Sequence, residues 1–518
     1  MAHQIQGRPR ALLIGLGLAA LIAAWSGGTP PGSAPDETAH YLRAVSVGRG
    51  QWLGRPPDPC PGLCRSGADR LAQATARTVD VPAGLVPPDF SGCFAHRPQV
   101  SAACSRTLTA PPTGAAVRST QVGSYPPTPY LVPGILMRVA ANPFQAAALG
   151  RIGTGVVGLL LLLLAAAALT AGRRGGLPLY GLLLATTPMV VFLDGSLNPS
   201  GIEISGAICY FAGIWRAIWS PIRVPPQVWA AVGVGGLMLG SVRPLGPVWV
   251  ALGFALWPAA LGPAAVWRRA RGADRSGVAG TGLAILGAVL GLAWALWAEH
   301  STPITTSPRL FSAAVRDLPN ILVQQIGVFG WLDTALPHLF YLIWAAALAT
   351  LVAAAWRVGD RRQRSLLAGS ATISLLASIL VPALLVLSSG SFGQGRYTMA
   401  TTVAVPLLAG EILATAGIGT RLNRALPWAA AAIGAGQLFA WVWDARRYAY
   451  GTGHGSLSGA IAPLWAPDLG WLPWLALAVL GSALVALSVA GYPGSGHQLV
   501  SPRISGTRGR WSRGPRRP

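Results

Sequence analysis

The fold of this chain is decided by stretches such as I-G-T-G-V-V-G-L-L-L-L-L-L-A-A-A-A-L-T-A at residues 152–171, which contain no charged side chain. A helix of about 20 apolar residues matches the hydrocarbon core of a bilayer. The whole chain agrees, because 52% of its 518 residues are hydrophobic, only 11% are charged, and the mean hydropathy is +0.49. This composition disfavours a soluble globular protein and predicts a membrane protein.

Eleven more apolar runs predict an all-α polytopic membrane protein with about twelve transmembrane helices. Several runs are short or contain Gly and Pro, which neighbouring helices tolerate inside a bundle. The predicted spans lie near residues 11–26, 152–171, 178–193, 200–217, 227–242, 246–266, 277–298, 337–356, 366–388, 397–417, 426–443 and 471–490. An even number of spans predicts that both termini lie on the same side of the membrane.

The arginines predict which side that is. If both termini are cytoplasmic, the inside segments carry 22 Arg and the short outer loops carry 6. The long outer segment is left out, because the rule applies to short loops only. Short cytoplasmic segments hold the excess of basic residues in multi-span proteins. We therefore predict a multi-pass protein of the plasma (inner) membrane with both termini in the cytoplasm. The net charge of +23 does not predict a nucleic-acid partner, since the arginines lie in short clusters between apolar runs.

The spans divide the chain into four predicted parts. These are 1–26, the N-terminus and first transmembrane helix; 27–150, a large extracytoplasmic loop with surface helices; 151–490, the multi-span core; and 491–518, a basic disordered cytoplasmic tail. The outer loop is far longer than a connection requires, which is typical of a functional segment. Within it, residues 125–141 are apolar but contain Arg138 and several Pro, so we predict an amphipathic or re-entrant helix on the outer face.

Four of the five cysteines belong to the outer loop, namely Cys60, Cys64, Cys93 and Cys104. An even number in an exported segment predicts two structural disulfides, with three possible connectivities. A zinc site is the alternative, because Cys-x3-Cys followed by two more Cys resembles a zinc pattern. The oxidising compartment and the wide spacing of the second pair favour disulfides.

Polar residues gather at the predicted outer ends of the spans, where ionisable groups are costly and therefore often functional. The first cluster is P-D-E-T-A-H-Y-L-R-A at residues 35–44, where Asp36, His40 and Arg43 are predicted to share one face of a helix. Paired with Glu37, Asp36 could act as a general base or hold a divalent cation such as Mg or Mn. The plainer alternative is that both carboxylates complement a helix dipole.

A second cluster, D-G-S-L-N-P at residues 194–199, is followed by Glu203. Asp194 and Asn198 fit an ordinary turn, whereas Glu203 lies inside an apolar span and needs a partner. The third cluster, S-V-R-P-L-G-P, offers one in Arg243, which could pair with Glu203 or hold an anion.

The fourth cluster, G-Q-G-R-Y at residues 393–397, opens a predicted span. Its glycines allow close approach of a ligand to the backbone, Gln394 offers an amide, and Arg396 is a fixed cation. Snorkelling to the interface is the alternative for both Arg243 and Arg396. Together the outer arginines and carboxylates predict a site for a lipid-linked phosphate.

These motifs, with Y-P-P at residues 125–127, resemble the bacterial membrane family catalogued as domain of unknown function 2142, over about residues 35–400. That family is in turn similar to the GT-C class of polytopic glycosyltransferases, which take a sugar from a polyprenyl-phosphate carrier on the outer leaflet. The resemblance implies a GT-C-like fold and transfer of the sugar to a glycan, lipid or protein acceptor of the cell envelope.

The resemblance implies that Asp36 is the acidic catalytic residue, with Glu37 beside it. Eight residues are then candidates for substrate binding: His40, Arg43, Asn198, Glu203, Arg243, Gln394, Arg396 and Tyr397. Three other functions use similar features: a transporter or flippase of lipid-linked glycans, an envelope glycan polymerase or ligase, and a non-catalytic assembly protein. The polar residues cluster at one interface and no repeat is visible, which disfavours a transporter.

Overall fold

The computed structural model describes residues 8–57, 76–107, 116–171, 176–220, 224–298, 308–386, 393–416, 419–452 and 463–490. The described chain is mostly helical, as predicted. Its α-helices, in order, are α1 Arg8–Gly28, α2 Glu37–Gly48, α3 Leu131–Leu136, α4 Pro143–Thr170, α5 Leu177–Ala185, α6 Pro188–Asp194, α7 Pro199–Ile218, α8 Pro226–Val242, α9 Gly246–Leu261, α10 Pro263–Arg271, α11 Arg275–Ala298, α12 Pro308–Gly327, α13 His338–Val358, α14 Arg361–Val381, α15 Met399–Thr402, α16 Ala404–Thr415, α17 Gly419–Tyr450 and α18 Leu472–Ala490.

Two small antiparallel sheets complete the fold. Strands β1 (Arg77–Val81) and β2 (Ala116–Thr120) pair with Val79 opposite Arg118. Strands β3 (Val328–Phe329) and β4 (Thr334–Ala335) form a short hairpin between α12 and α13.

The prediction of twelve spans is wrong as a count of full crossings. In the described part of the chain, seven helices are long and apolar enough to cross a membrane, or up to nine if each of two bent pairs forms one span. The bent pairs are α5 with α6, at 66°, and α9 with α10, at 109°. Helix α8 has 17 residues, about 25 Å at 1.5 Å per residue, which is shorter than a typical crossing. Helix α7 is less apolar because it carries Glu203 and Arg216.

Close backbone contact holds the helices together where the sequence supplies glycine. Helices α8 and α11 meet at Gly240 and Gly291, and a Cβ added at Gly291 would collide with the carbonyl oxygen of Gly240. Small residues at helix crossings are the usual means of packing in membranes, where burial of apolar surface gives little drive for association. The main core fills the bundle and includes the fully buried Trp25, Tyr210 and Trp215.

The predicted outer loop is a folded unit rather than an open loop. Helix α2, the β1–β2 sheet, α3 and several turns of 3-10 helix pack around a core of their own, which buries Tyr41, Val79, Phe90 and Tyr130. We call the described residues between α1 and α4 the cap. The predicted surface helix at 125–141 is three short pieces: the 3-10 turns Thr128–Tyr130 and Met137–Val139 flank α3.

The cap covers one end of the bundle. Its backbone accepts hydrogen bonds from Trp294 at the end of α11 and from Arg447 near the end of α17. The other end is linked by different contacts, such as the Arg216 side chain of α7 donating to the carbonyl of Ala171 beyond α4. We call the first the cap end. The predicted tail at 491–518 lies outside the described residues.

Candidate functional site

The P-D-E segment before α2 is fixed to two other turns of the cap end. The carbonyl of Pro35 accepts hydrogen bonds from the Asn198 amide at 3.0 Å and from Arg396 Nη1 at 3.3 Å. Asp36 has φ +62°, a left-handed conformation that is uncommon for a residue other than Gly and often marks a functional site. Three of the four polar clusters found in the sequence therefore meet at one point.

Asp36 forms an ion pair with Arg396. Asp36 Oδ2 and Arg396 Nη2 are 2.6 Å apart, and the side chains are 29% and 5% exposed. Burial alone would raise the pKa of Asp36, but the charges of Arg396 and Arg243 and the hydrogen bond from Arg396 outweigh it and lower that pKa. Burial at the membrane border does not raise the pKa of Asp36 while Arg396 is its partner.

Glu37 lies beside Asp36 but points into a closed environment. Arg151 of α4 donates to Glu37 Oε1 at 2.6 Å and to Oε2 at 2.8 Å, and the backbone N–H of Leu197 donates to Oε1 at 3.0 Å. The remaining Arg151 N–H groups donate to Ser26, Thr29, Pro30 and Ser33 at the end of α1. Glu37 has no open oxygen for a metal or substrate, so its geometry is that of a structural clamp.

Arg243 and Glu203 form a second ion pair next to the first. Arg243 Nε lies 3.0 Å from Glu203 Oε2, and Arg243 Nη2 donates to Ser200 Oγ at 2.8 Å. The predicted pairing of these two residues is what the structure shows. The Arg243 guanidinium also lies 5.5 Å from the ring centres of Tyr125 and Tyr397, a distance that favours cation–π attraction.

Tyr397 links the two arginines, because the Arg396 guanidinium lies 5.4 Å from the centre of the same ring. We call Asp36, Glu203, Arg243, Arg396 and Tyr397 the paired-ion site. Its two carboxylates and two guanidiniums neutralise each other. An anion could therefore be bound there only by taking the place of a carboxylate.

His40 borders the paired-ion site as a neutral residue. Its Nδ1 shares a hydrogen bond of 2.8 Å with the Tyr130 hydroxyl, and its side chain is buried. Burial and the charges of Arg243 and Arg396 lower the pKa of His40 to about 3, against the opposing effect of Asp36. Burial likewise raises the pKa of Tyr130, which keeps its hydroxyl protonated.

Two predicted substrate-binding residues are instead used to hold the backbone. Arg43 is buried and donates to the carbonyls of Tyr125, Gln51 and Trp52. Asn198 caps α7 by accepting from the N–H of Ser200 at 3.0 Å. These contacts assemble the cap, and substrate binding by either side chain stays a prediction.

A small cleft of about 10 Å³, room for about one water molecule, lies beside the paired-ion site. Its walls include Pro35, Phe192, Gln324, Gln394 and Arg396. The Gln394 side-chain oxygen and the Arg396 Nε are both buried, and neither has a hydrogen-bond partner in the described structure. Since buried polar groups are normally paired, these two atoms indicate a place where a polar ligand could add hydrogen bonds.

The structure joins Cys93 and Cys104 by a disulfide, one of the pairings that the sequence left open. It lies in the part of the cap that packs against Tyr448 and Trp465. Cys60 and Cys64 lie outside the described residues, so the second disulfide stays a prediction. Among the described residues, no three His, Cys, Asp or Glu side chains are grouped so that they could hold a metal ion.

Arg151 is the residue that sequence reasoning missed. It is an arginine in the first part of an apolar helix, 2% exposed, and the rule that ionisable residues in spans need a partner would have singled it out. Tyr130 was missed because a tyrosine in an apolar stretch gives no distinct signal. Neither residue could have been assigned its partner, since the partners are 114 and 90 positions away.

Comparison with known proteins adds one finding. No curated protein and no solved structure matches the chain. A family model described as a predicted membrane protein (DUF2142) matches residues 19–405, and this range holds every member of the paired-ion site. The chain therefore belongs to the DUF2142 family of membrane proteins.

Proposed function

We propose that the chain is a membrane transferase that takes a sugar from a polyprenyl-phosphate carrier at the paired-ion site and passes it to a cell-envelope acceptor. The observation that carries the proposal is the Asp36–Arg396 pair. It joins a partly exposed carboxylate to a buried guanidinium at the edge of a cleft. A carboxylate is the usual base toward a hydroxyl, and a guanidinium is a strong ligand of phosphate.

The proposed first step is an exchange of partners. A carrier phosphate that widens the cleft takes the place of Asp36 on Arg396 and accepts from Arg396 Nε, while the Gln394 side-chain oxygen accepts from a hydroxyl of the attached sugar. Losing Arg396 removes the main effect that lowers the pKa of Asp36, while the effect of burial remains. The pKa of Asp36 then rises, which suits the carboxylate to accept a proton.

The proposed chemical step is a displacement at the anomeric carbon of the sugar. The acceptor oxygen forms a bond to the anomeric carbon, the bond from that carbon to the carrier phosphate breaks, and the acceptor proton moves to Asp36. Arg396 and Arg243 stabilise the charge that develops on the leaving phosphate. One carboxylate base and direct displacement predict inversion at the anomeric carbon.

Helix α12 offers the carrier a route from the bilayer. It has exposed apolar residues, including Phe311 at 50% and Val315 at 43%, together with charged residues, which is typical of a helix lying in the membrane interface. At its other end Gln324 lines the cleft and accepts a hydrogen bond at 2.7 Å from the N–H of Gly395, next to Arg396. A lipid tail along α12 would place its phosphate at the paired-ion site.

We further propose that the cap end faces the extracytoplasmic side and that both termini are cytoplasmic. The excess of Arg in the other connecting segments supports this orientation. Cysteine substitutions in intact cells test it. An impermeant thiol reagent should label a probe at Gln121 in the cap and should not label one at Arg268 in α10; the reverse pattern overturns the orientation.

Transfer is tested with the purified chain in vesicles that contain a polyprenyl-phosphate sugar. Asp36→Asn should lower transfer by roughly 10² or more, the usual scale for loss of a general base, and should leave carrier binding in place. Arg396→Lys keeps the charge but loses the bidentate fork, so it should weaken carrier binding. Arg55→Gln, on the cap surface, is the control.

If Asp36→Asn transfers sugar at the full rate, the transferase proposal is wrong. Carrier binding without transfer in the unaltered chain would instead favour a flippase.

A further inference from the structure

A wide, open groove lies at the end of the bundle opposite the cap. It has a volume of about 530 Å³, within the range of small-molecule sites, and lies between α9 and α14. Its lining includes Leu256, Arg361, Arg362, Gly369, Ser370 and Ile373, and we call it the basic groove. Arg361 is far from the paired-ion site, because α14 runs from Arg361 at one end toward Ser378, which contacts Thr398 near Arg396 at the other.

The groove is amphipathic along its length. Arg361 and Arg362 begin α14 and are exposed at the mouth, and neither takes part in an ion pair in the described structure. The nearest acid in sequence, Asp360, is used to cap the helix by accepting from the N–H of Gln363 at 2.8 Å. Deeper in the groove the walls are apolar, with Leu256 and Ile373 facing the space.

A polar atom inside the groove lacks a partner. The Ser370 side chain is 6% exposed, and its Oγ has no hydrogen-bond partner in the part of the chain that the structure describes. Gly369 beside it has no atom within 4 Å of where a Cβ would stand. A buried hydroxyl beside open space indicates that something can enter and bind there.

The residues near the mouth of the groove are of the types found at a membrane interface. Helix α9 ends at a turn of 109° into α10, a nine-residue helix with no buried residue. Its Trp267 is 60% exposed and stacks against Arg271, and Trp and Arg are the residues typical of the headgroup region. Arg269 fixes α10 by donating to carbonyls at the end of α7.

We propose that the basic groove is a binding site for an anionic phospholipid. Arg361 and Arg362 would bind the headgroup phosphate, the Ser370 hydroxyl would pair with an ester oxygen, and one acyl chain would lie along the apolar walls. Charge complementarity favours this occupant over a zwitterionic lipid, because the choline cation of phosphatidylcholine offsets the charge of its phosphate and is repelled by the two arginines. The site is independent of the paired-ion site and of its proposed function.

Native mass spectrometry of the full chain, titrated with phosphatidylglycerol and separately with phosphatidylcholine, tests the site. A saturable complex should form with phosphatidylglycerol only. Arg361→Gln combined with Arg362→Gln should weaken it about tenfold or more. The control is Arg268→Gln combined with Arg271→Gln on α10, which removes the same charge at the same end of the bundle but outside the groove, and it should change binding little.

Gly369→Leu fills the groove without changing any charge, and it should also abolish the complex. Equal losses in the two double variants would show general attraction to a basic surface and overturn the site. Unchanged binding in Gly369→Leu would show that the lipid does not enter the groove, with the same consequence. Competition by soluble glycerol 3-phosphate would identify a free phosphate ester as the ligand and would also overturn the proposal.

Discussion

Asp36 and Glu37 are neighbours in the chain, yet they form two very different ion pairs. The Glu37–Arg151 pair is 5% and 3% exposed, and every oxygen and nitrogen in it has a partner. The Asp36–Arg396 pair has the same N–O separation of 2.6 Å, but its carboxylate is 29% exposed and Arg396 Nε has no partner in the described structure.

The difference separates a pair that holds the fold from one that can exchange partners. A fully satisfied buried pair loses several kcal/mol when one member is removed, because the other charge is left buried. An ion pair at a cleft can exchange a carboxylate for another anion at lower cost. The distance between the charges alone does not distinguish the two cases; the number of other partners does.

The largest effect is expected from Glu37→Gln, which leaves Arg151 buried without a counter-charge. We expect a loss of about 3–5 kcal/mol in the free energy of unfolding, seen as a large fall in the thermal unfolding temperature in detergent. A loss no larger than that of Asp36→Asn would break the comparison between the two pairs.

The next effect comes from pH, through His40, which interacts with Asp36. Since the pKa of His40 is about 3 in the folded chain and about 6.5 when unfolded, the unfolded state binds more protons between these values. Stability is therefore full above pH 6.5 and falls as the pH drops, by about 2 kcal/mol at pH 5.

Unfolding temperatures measured from pH 7.5 to 5 check this expectation. His40→Gln should flatten the pH dependence, whereas His338→Gln, at an exposed position, should leave it as it is. A pH dependence that His40→Gln does not alter would contradict the neutral, buried state of His40.

A smaller loss of stability is expected from Asp36→Asn. Its carboxylate is partly exposed, so solvent already screens the pair, and the loss should lie near 1–2 kcal/mol, between the values for surface and buried pairs. Transfer activity and the free energy of unfolding should be measured for Asp36→Asn and Glu37→Gln together. Activity should depend mainly on Asp36, and stability mainly on Glu37.

The smallest effect is expected from the surface pair of Arg55 and Asp80. Both side chains are 58% exposed, and Arg55→Gln should change the free energy of unfolding by less than about 1 kcal/mol. This variant sets the lower end of the scale on which the other two pairs are compared.

Much of the site could be found in the sequence because ionisable residues are rare in this chain. Asp36, Glu203, Arg243 and Arg396 were each visible as charged residues within or at the ends of apolar runs, and the pairing of Glu203 with Arg243 was one of the expected outcomes. The different environments of Asp36 and Glu37 could not be predicted, since they depend on which neighbour each side chain contacts. The backbone contacts of Arg43 could not be predicted for the same reason.

The sequence by itself determined that this is a helical membrane protein, because long apolar runs can satisfy their backbone polar groups only as helices in a bilayer. It also located the polar clusters. The tertiary structure decided how many helices are full crossings: the breaks fall at Pro188 and at Gly262–Pro263, which the sequence shows, but the angles of 66° and 109° between the helices are seen only in the structure. It alone decided that the long segment before α4 folds into a cap and that Arg396 meets Asp36 across 360 positions of the chain, because such contacts depend on the packing of the whole bundle.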